Sequence, residues 1–336
     1  MRSQQFAVLG IAAVVAMTAA VVVHARRQPW TESRVAASPL AASLARDAAA
    51  IGRVEIRQGE TALTLERKGQ AWSLKERDGY PVKSEAVNAL IGRLAQSDLV
   101  EPKTRSAANY PVLELEDPAV KGARSRQVRL IDDRGVLLDV VIGKRKPDAF
   151  GPSKGGTYLR RTGEPQSWLA TGDVDVATEP RGWLATSILD LPADKIAKVS
   201  ITIPGEAPLV LERGAPGKFK VAGLDEAKKL RQGNPVDELA RAAASFDLDD
   251  VRKLAMTPAG DKVSIVTVES DGGLKVTLRL RRDAGADWVS ITAAGDGEAA
   301  AAVNKINGVA TGWEFRIPAA KAGAVLKKLA DLVEAG

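Results

Sequence analysis

The chain has 336 residues, of which 45% are hydrophobic and 27% charged, a balance typical of a folded globular protein. Cysteine is absent and histidine occurs once, at His24, which excludes disulfides, cysteine nucleophiles, thiolate metal sites and histidine-based metal sites. A net charge of +6 with only 4% aromatic residues is too weak a basic signature for a nucleic-acid-binding protein.

The first predicted element is an apolar helix over residues 6–23, which contain no charged side chain. Such a helix would rise about 27 Å, close to the ~30 Å hydrocarbon core of a bilayer. Arg26, Arg27 and Trp30 follow it and suit the headgroup region. We therefore expect residues 1–27 to be a membrane anchor with a short N-terminal tail. A cleaved signal peptide and a buried soluble helix are the alternatives.

Residues 28–50 are predicted to be a linker, because prolines and serines interrupt the first part and alanines dominate the end. Alanine and arginine propensity favour a short helix from about Leu44 to Ala50. The linker would connect the anchor to the folded body.

A first α+β module is predicted over residues 51–190. Polar and apolar residues alternate at residues 54–57 and 63–66, which indicates half-buried antiparallel strands. A helix follows, with Ser84 as its N-cap and an apolar stripe formed by Val87, Leu90, Ile91 and Leu94. Strands then resume, with a hairpin turn at residues 132–135.

The same order of elements recurs over residues 191–336. Residues 209–213 resemble residues 63–67 at an offset of 146. Asn234 and Pro235 open a helix with the stripe Val236, Leu239, Ala240 and Ala243. A long hairpin and a last helix, over about residues 319–334, complete the second module. The predicted fold is thus α+β, with an N-terminal transmembrane helix followed by two similar modules of antiparallel strand meanders with packed helices, an internal duplication.

Basic side chains concentrate in residues 121–161, which hold eleven basic and four acidic residues. We define the basic rim by six of them: Lys144, Arg145, Lys146, Lys154, Arg160 and Arg161. One interpretation is a docking surface for an acidic partner, an anionic lipid or a polyanionic glycan. The more common alternative is a solvated hairpin whose charges protect a sheet edge.

Other motifs point to structure rather than to chemistry. Asp247, Asp249 and Asp250 lack the glycine and glutamate spacing of a calcium loop, and Asp173 and Asp175 alternate with valines as on a polar strand or turn. Trp168 and Trp183 each precede Leu-Ala, and core packing is favoured over a ligand-stacking role. Phosphate loops, metal-ligand spacings and nucleophile elbows are absent, so no catalytic residue, cofactor or metal is predicted.

A series of short stretches between Ile51 and about Ile203 resembles a bacterial family, the domain of unknown function 4340 family. The resemblance depends on their order and spacing: Leu65-Glu66-Arg67, Trp72, Gly79-Tyr80-Pro81, Val100-Glu101-Pro102-Lys103-Thr104, Asn109-Tyr110, Glu116-Asp117-Pro118, Ile142-Gly143-Lys144-Arg145, Gly156-Thr157-Tyr158-Leu159-Arg160-Arg161, Gln166-Ser167-Trp168-Leu169, Trp183-Leu184 and Leu189-Asp190-Leu191-Pro192-Ala193-Asp194.

This resemblance implies a single-pass protein of the cytoplasmic (inner) membrane with an extracytoplasmic body, although the flanking arginines lean slightly the other way. It also implies a non-enzymatic accessory role in an ABC-type transport system of the gliding-motility kind, through contact with permease and ATPase components. The family supplies no catalytic residues. The alternative is an envelope glycan- or peptide-binding module or hydrolase, and neighbouring genes would discriminate between the two.

Overall fold

The computed structural model of the protein describes residues 37–151, 154–214, 217–225, 228–254 and 262–334. They form an α+β fold dominated by large antiparallel sheets with few helices, as the alternating sequence patterns predict. The predicted anchor, residues 1–27, lies outside the described residues. Within the described part, no helix has the length and apolarity needed to cross a bilayer.

The first sheet has ten antiparallel strands. Its register follows the alternation of apolar residues: Val54 and Ile56 pair with Leu65 and Leu63, and all four are buried. The strands are β1 (Ser38–Pro39), β2 (Arg53–Gln58), β3 (Thr61–Lys68), β4 (Ala71–Leu74), β5 (Tyr80–Pro81), β6 (Asp98–Pro102), β7 (Arg126–Ile131), β8 (Val136–Lys146), β9 (Gly156–Arg161) and β10 (Ser167–Thr171). Their order across the sheet is β1-β6-β10-β9-β8-β7-β2-β3-β4-β5.

The second half of the chain forms an eight-stranded sheet and a separate two-stranded ladder. The ladder consists of β11 (Ser187–Asp190) and β15 (Ser245–Asp247). The sheet strands are β12 (Ile196–Thr202), β13 (Leu209–Arg213), β14 (Phe219–Val221), β16 (Asp250–Lys253), β17 (Ser264–Ser270), β18 (Lys275–Asp283), β19 (Ala286–Ala294) and β20 (Trp313–Ile317). Their order is β14-β13-β12-β17-β18-β19-β20-β16.

The helices are short and pack against the sheets. They are α1 (Leu44–Asp47), α2 (Ser84–Ala95), α3 (Pro235–Ala244), α4 (Ala300–Ala310), α5 (Ala319–Val325) and α6 (Leu329–Leu332). Both predicted apolar stripes, on α2 and on α3, are buried, which confirms the helical periodicity. Their side chains join those of both sheets in one continuous core.

A second, smaller core lies on the other face of the first sheet. Val140 belongs to the main core, so the next residue, Val141, points the opposite way. It packs there with Tyr110 and Leu115 from the segment between β6 and β7. This segment therefore covers part of the outer face of the first sheet.

The two sheets also meet through an aromatic and an ionic contact. The ring of Tyr80 lies edge-on to Trp313 at 4.8 Å and to Phe315 at 6.0 Å between centroids. Burial raises the pKa of the Tyr80 phenol to about 12. Beside it, the guanidinium of Arg77 donates to both carboxylate oxygens of Asp250, at 2.5 and 2.8 Å.

Several boundaries differ from the sequence predictions. Helix α2 begins at Ser84 itself, whose hydroxyl accepts a hydrogen bond from the Trp72 amide instead of capping the helix. Leu40 and Leu44, within the predicted linker, are buried in the core. The predicted last helix is broken at residues 326–328 into α5 and α6, and the chain after α6 pairs with the segment around Leu230. Strand β19 and helix α4 were not predicted at all.

Candidate functional site

The basic rim centres on the connection between β8 and β9. Lys144, Arg145 and Lys146 are the last residues of β8, and Lys154 lies just before β9. All four side chains are exposed. The antiparallel hairpin thus brings four positive charges to one end of the first sheet.

Two glycines allow close packing at the strand ends on either side of this connection. A Cβ at Gly143 would overlap the carbonyl oxygen of Leu113 and lie 2.9 Å from that of Glu114, so glycine allows the segment between β6 and β7 to pack on β8. A Cβ at Gly156 would lie 2.7 Å from the Cβ of Ala149. Backbone therefore packs closely on β8 at Gly143, and side chains pack closely on β9 at Gly156.

Only one of these four positive charges forms an ion pair among the described residues. Arg145 forms an ion pair with Asp173, with 3.2 Å between Nη1 and Oδ2. Among the described residues, Lys144, Lys146 and Lys154 have no ion-pair partner. Three exposed ammonium groups are therefore available to an external anion.

The structure separates Arg160 and Arg161 from this group, so the six predicted residues do not form a single rim. In the β8–β9 ladder Lys146 pairs with Gly156, whereas Arg160 pairs with Val141. Arg160 is thus four residues, or about 14 Å, further along the strand.

Both arginines have structural contacts at that position. The Arg160 guanidinium lies 4.6 Å from the centroid of the Tyr110 ring, a cation–π contact. Arg161 donates to the carbonyl oxygen of Leu40 at 2.7 Å and forms an ion pair with Glu164 at 3.7 Å. Arg160 thus binds the segment between β6 and β7, and Arg161 binds the first described residues of the chain. We therefore restrict the candidate site to residues 144–146 and Lys154.

A cleft of about 650 Å³ is lined by two of these four residues, Arg145 and Lys154. Its charged side chains are of both signs: Arg93, Arg145, Lys154, Asp148, Asp173 and Asp175. Asp173 and Asp175 lie on the loop after β10, where Val174 and Val176 are buried and anchor the backbone. A cleft with this lining is suited to polar ligands that carry both charges.

Of the acidic residues Asp247, Asp249 and Asp250, the last two form ion pairs within the fold. Asp249 pairs with Arg181 at 2.8 Å, and Asp250 binds Arg77. The hydrogen bond to Asp250 raises the pKa of the Arg77 guanidinium above its ordinary value. In the part of the chain that the structure describes, no cluster of three or more histidine, aspartate or glutamate side chains could hold a metal ion.

Trp168 and Trp183 are core residues, as predicted. Trp183 is buried, and its indole nitrogen donates to the carbonyl oxygen of Ala177 at 3.0 Å. Trp168 packs, partly buried, against the main core. Both side chains therefore contribute to core packing.

A buried charge network on the second sheet was not found from the sequence. Glu314 is 3% exposed, and its carboxylate accepts two hydrogen bonds of 2.7 Å from Arg281 and one of 3.0 Å from Arg252. The hydrogen bond to Glu314 raises the pKa of Arg281. Arg252 in turn lies 3.7 Å from the Trp288 ring centroid. The three charged residues belong to different strands, so no local spacing could have indicated their contact.

Comparison with known proteins places these features in a family context. A family model described as "Domain of unknown function (DUF4340)" matches residues 72–262, more than half of the chain. The match includes the candidate site and extends into the second sheet. Neither the curated proteins nor the solved structures contain a significant match.

Proposed function

The chain belongs to the DUF4340 family, and on that premise we propose that it is a non-enzymatic, membrane-anchored accessory protein of an ABC-type transport system. It would act through contact with the permease and ATPase components. The observation that carries the proposal is the group of three exposed lysines, Lys144, Lys146 and Lys154, without ion-pair partners among the described residues. Unpaired surface charge of one sign favours recognition of an acidic partner and accelerates its association.

Close packing at the strand ends that carry the lysines supports a role in contact. Gly143 lets the segment between β6 and β7 pack on β8, and Gly156 lets side chains pack on the start of β9. A preorganised surface loses less conformational entropy on binding.

The proposed topology is a single pass through the cytoplasmic (inner) membrane with the body on the extracytoplasmic side. The apolar residues 6–23 support the anchor. The described body starts at the edge strand β1, which Arg161 binds through the Pro39 and Leu40 carbonyls. The chain from the membrane would thus enter a fixed part of the first sheet.

A reporter that is active only after export tests this topology. Fused after Gly336, it is expected to be active. Activity from a cytoplasmic reporter alone would overturn this topology.

The proposed internal duplication is supported by strand order. Omitting the edge strands β1 and β5, the first sheet runs β4-β3-β2-β7-β8-β9-β10-β6, and the second runs β14-β13-β12-β17-β18-β19-β20-β16. Each number in the second series is ten greater than its counterpart in the first. The helices also have matching positions along the chain. Helix α2 follows β2, β3, β4 and the edge strand β5, and helix α3 follows β12, β13 and β14.

The test of the accessory role is capture of tagged full-length protein from its own membranes in mild detergent. Recovery of a permease and an ATPase in fixed ratio is expected. The triple variant K144E/K146E/K154E should reduce that recovery at least about tenfold. The matched control K218E/K220E/K228E changes three exposed lysines of the second half by the same charge and should leave recovery unchanged.

Two results would contradict the proposal. One is the absence of transporter components from the captured material. The other is cleavage of envelope glycan by the purified protein, which would favour the hydrolase alternative. The mixed-charge cleft with Asp148, Asp173 and Asp175 is where the substrate of such an activity would be sought.

A further inference from the structure

A second surface feature is an apolar cleft of about 330 Å³ between β11, α4 and the turn that joins β17 to β18. We call it the β11–α4 cleft. Its volume is at the lower end of the range of ligand pockets. Its large apolar lining side chains include those of Ile188, Leu189, Leu191, Leu274, Ile306 and Val309.

The cleft runs along the edge of β11. Consecutive residues from Ser187 to Pro192 all line it. Because neighbouring side chains of a strand point to opposite faces, a cavity that touches every residue in turn follows the backbone edge. β11 pairs only with β15 among the described strands, so this edge has no strand partner. Edge strands offer backbone donors and acceptors to an incoming strand.

The opposite wall is an apolar stripe on α4. Ala302, Ile306 and Val309 recur at helical spacing and all line the cleft. Val309 is 44% exposed, one of the few large apolar side chains exposed to that degree among the described residues. Exposed apolar surface that continues into a concave pocket is typical of an interaction site.

The charge at the cleft is positive by one unit. Lys195 and Lys305 line it, both are exposed, and neither has an ion-pair partner within the described residues. Asp190 is the one acidic residue in the described lining. An acidic occupant is therefore favoured over a basic one.

We propose that the β11–α4 cleft binds an extended peptide segment of a partner protein in which apolar and acidic residues alternate. The segment adds to the free edge of β11 as a third strand of the ladder. Its apolar side chains insert against Ile306 and Val309, and its acidic side chains reach Lys195 and Lys305. This site is separate in sequence from the lysines of the basic rim, so its test does not depend on the transporter association.

The test uses synthetic peptides and the full-length protein in phospholipid nanodiscs. The probe is a fluorescent peptide of about six residues, a common strand length, with alternating valine and glutamate. Control peptides replace glutamate with lysine, or place a central proline that removes a backbone donor. Fluorescence anisotropy should show binding of the probe and at least about tenfold weaker binding of both controls.

Variants of the protein locate the site. V309D places a charge on the apolar wall and should weaken binding of the probe at least about tenfold. The control V136D changes an apolar side chain that is 48% exposed elsewhere and should not affect binding. K195E/K305E should invert the preference, so that the lysine peptide binds better than the glutamate peptide. Unchanged melting temperatures of the variants exclude unfolding as the cause.

Hydrogen exchange provides the readout specific to strand addition. Bound probe should protect those backbone amides of Ser187 to Asp190 that do not already bond β15, because they would form new ladder hydrogen bonds. Failure of the probe to bind, or equal binding to V309D, would overturn the proposal. Protection of α4 by decanoate, without any binding of the peptide, would instead identify an acyl-chain site and would also overturn it.

Discussion

Removing the buried carboxylate of Glu314 is expected to destabilise the second sheet. In the substitution Glu314→Ala, Arg281 loses both of its 2.7 Å hydrogen bonds and keeps only a distant ion pair with Asp283, at 3.9 Å. Arg252 loses one hydrogen bond but keeps Asp283 at 2.7 Å. The uncompensated charge is therefore mainly that of Arg281.

The size of the effect follows from the burial of the three side chains. Removing one partner of a fully buried ion pair costs about 3–5 kcal/mol. The Glu314 side chain is 4% exposed, but those of Arg281 and Arg252 are 21% and 33% exposed, so water can partly solvate the guanidinium groups left behind. We therefore expect a loss of about 2–3 kcal/mol in the free energy of unfolding.

Urea unfolding of the full-length protein, followed by tryptophan fluorescence, measures this loss. The control Glu269→Ala lies on the same sheet but removes an exposed pair with Lys275, and we expect a change below about 0.5 kcal/mol. A double-mutant cycle with Arg281→Ala should give a coupling energy of about 1–3 kcal/mol. A loss below about 0.5 kcal/mol for Glu314→Ala, or additive single variants, would refute the reasoning.

Two further substitutions test the packing, and one tests a buried ionisable group. Gly143→Ala should lower the free energy of unfolding in urea by about 1–3 kcal/mol, because the new Cβ would overlap the Leu113 carbonyl. Gly92→Ala should raise it by about 0.5–1 kcal/mol, because Gly92 lies in open space on α2 and alanine favours a helix. The pKa of Tyr80 is raised by burial from 10.0 to about 12, so the folded state favours the neutral phenol, and the stability this contributes is lost as the pH rises from 10 towards 12. Melting temperatures over this pH range should fall more steeply for the natural protein than for Tyr80→Phe, and parallel curves would contradict the assignment.

The elements that were predicted correctly are those whose burial pattern is local. The alternation around Val54 and Ile56 indicated β2, and the stripe containing Leu90 indicated α2. Each pattern records which face of a single element is buried, so a window of a few residues is sufficient. Helix α4 was missed although Ala302, Ile306 and Val309 recur at helical spacing, because alanine, asparagine and glycine fill most of the segment and its only fully buried residue is the small Ala310.

The candidate site was predicted only in part, for a related reason. Lys144, Arg145 and Lys146 are adjacent in sequence, and any hairpin would bring them to one end. Arg160 and Arg161 are equally basic, but the register between β8 and β9 places them about 14 and 17 Å along the strand from Gly156. There Arg160 contacts Tyr110 and Arg161 binds the Leu40 carbonyl. The register depends on which residues pair across the two strands. A count of basic residues along the sequence contains no information on that pairing.

The sequence by itself determined the fold class, the family resemblance and the positions of most strands, because these depend on periodicity and spacing along the chain. Tertiary structure decided which charges are paired. Arg252 and Glu314 are 62 residues apart, and they meet because β16 and β20 are neighbours in the second sheet. The order of strands reflects the burial of the whole core, whereas a local sequence pattern records the environment of one element only.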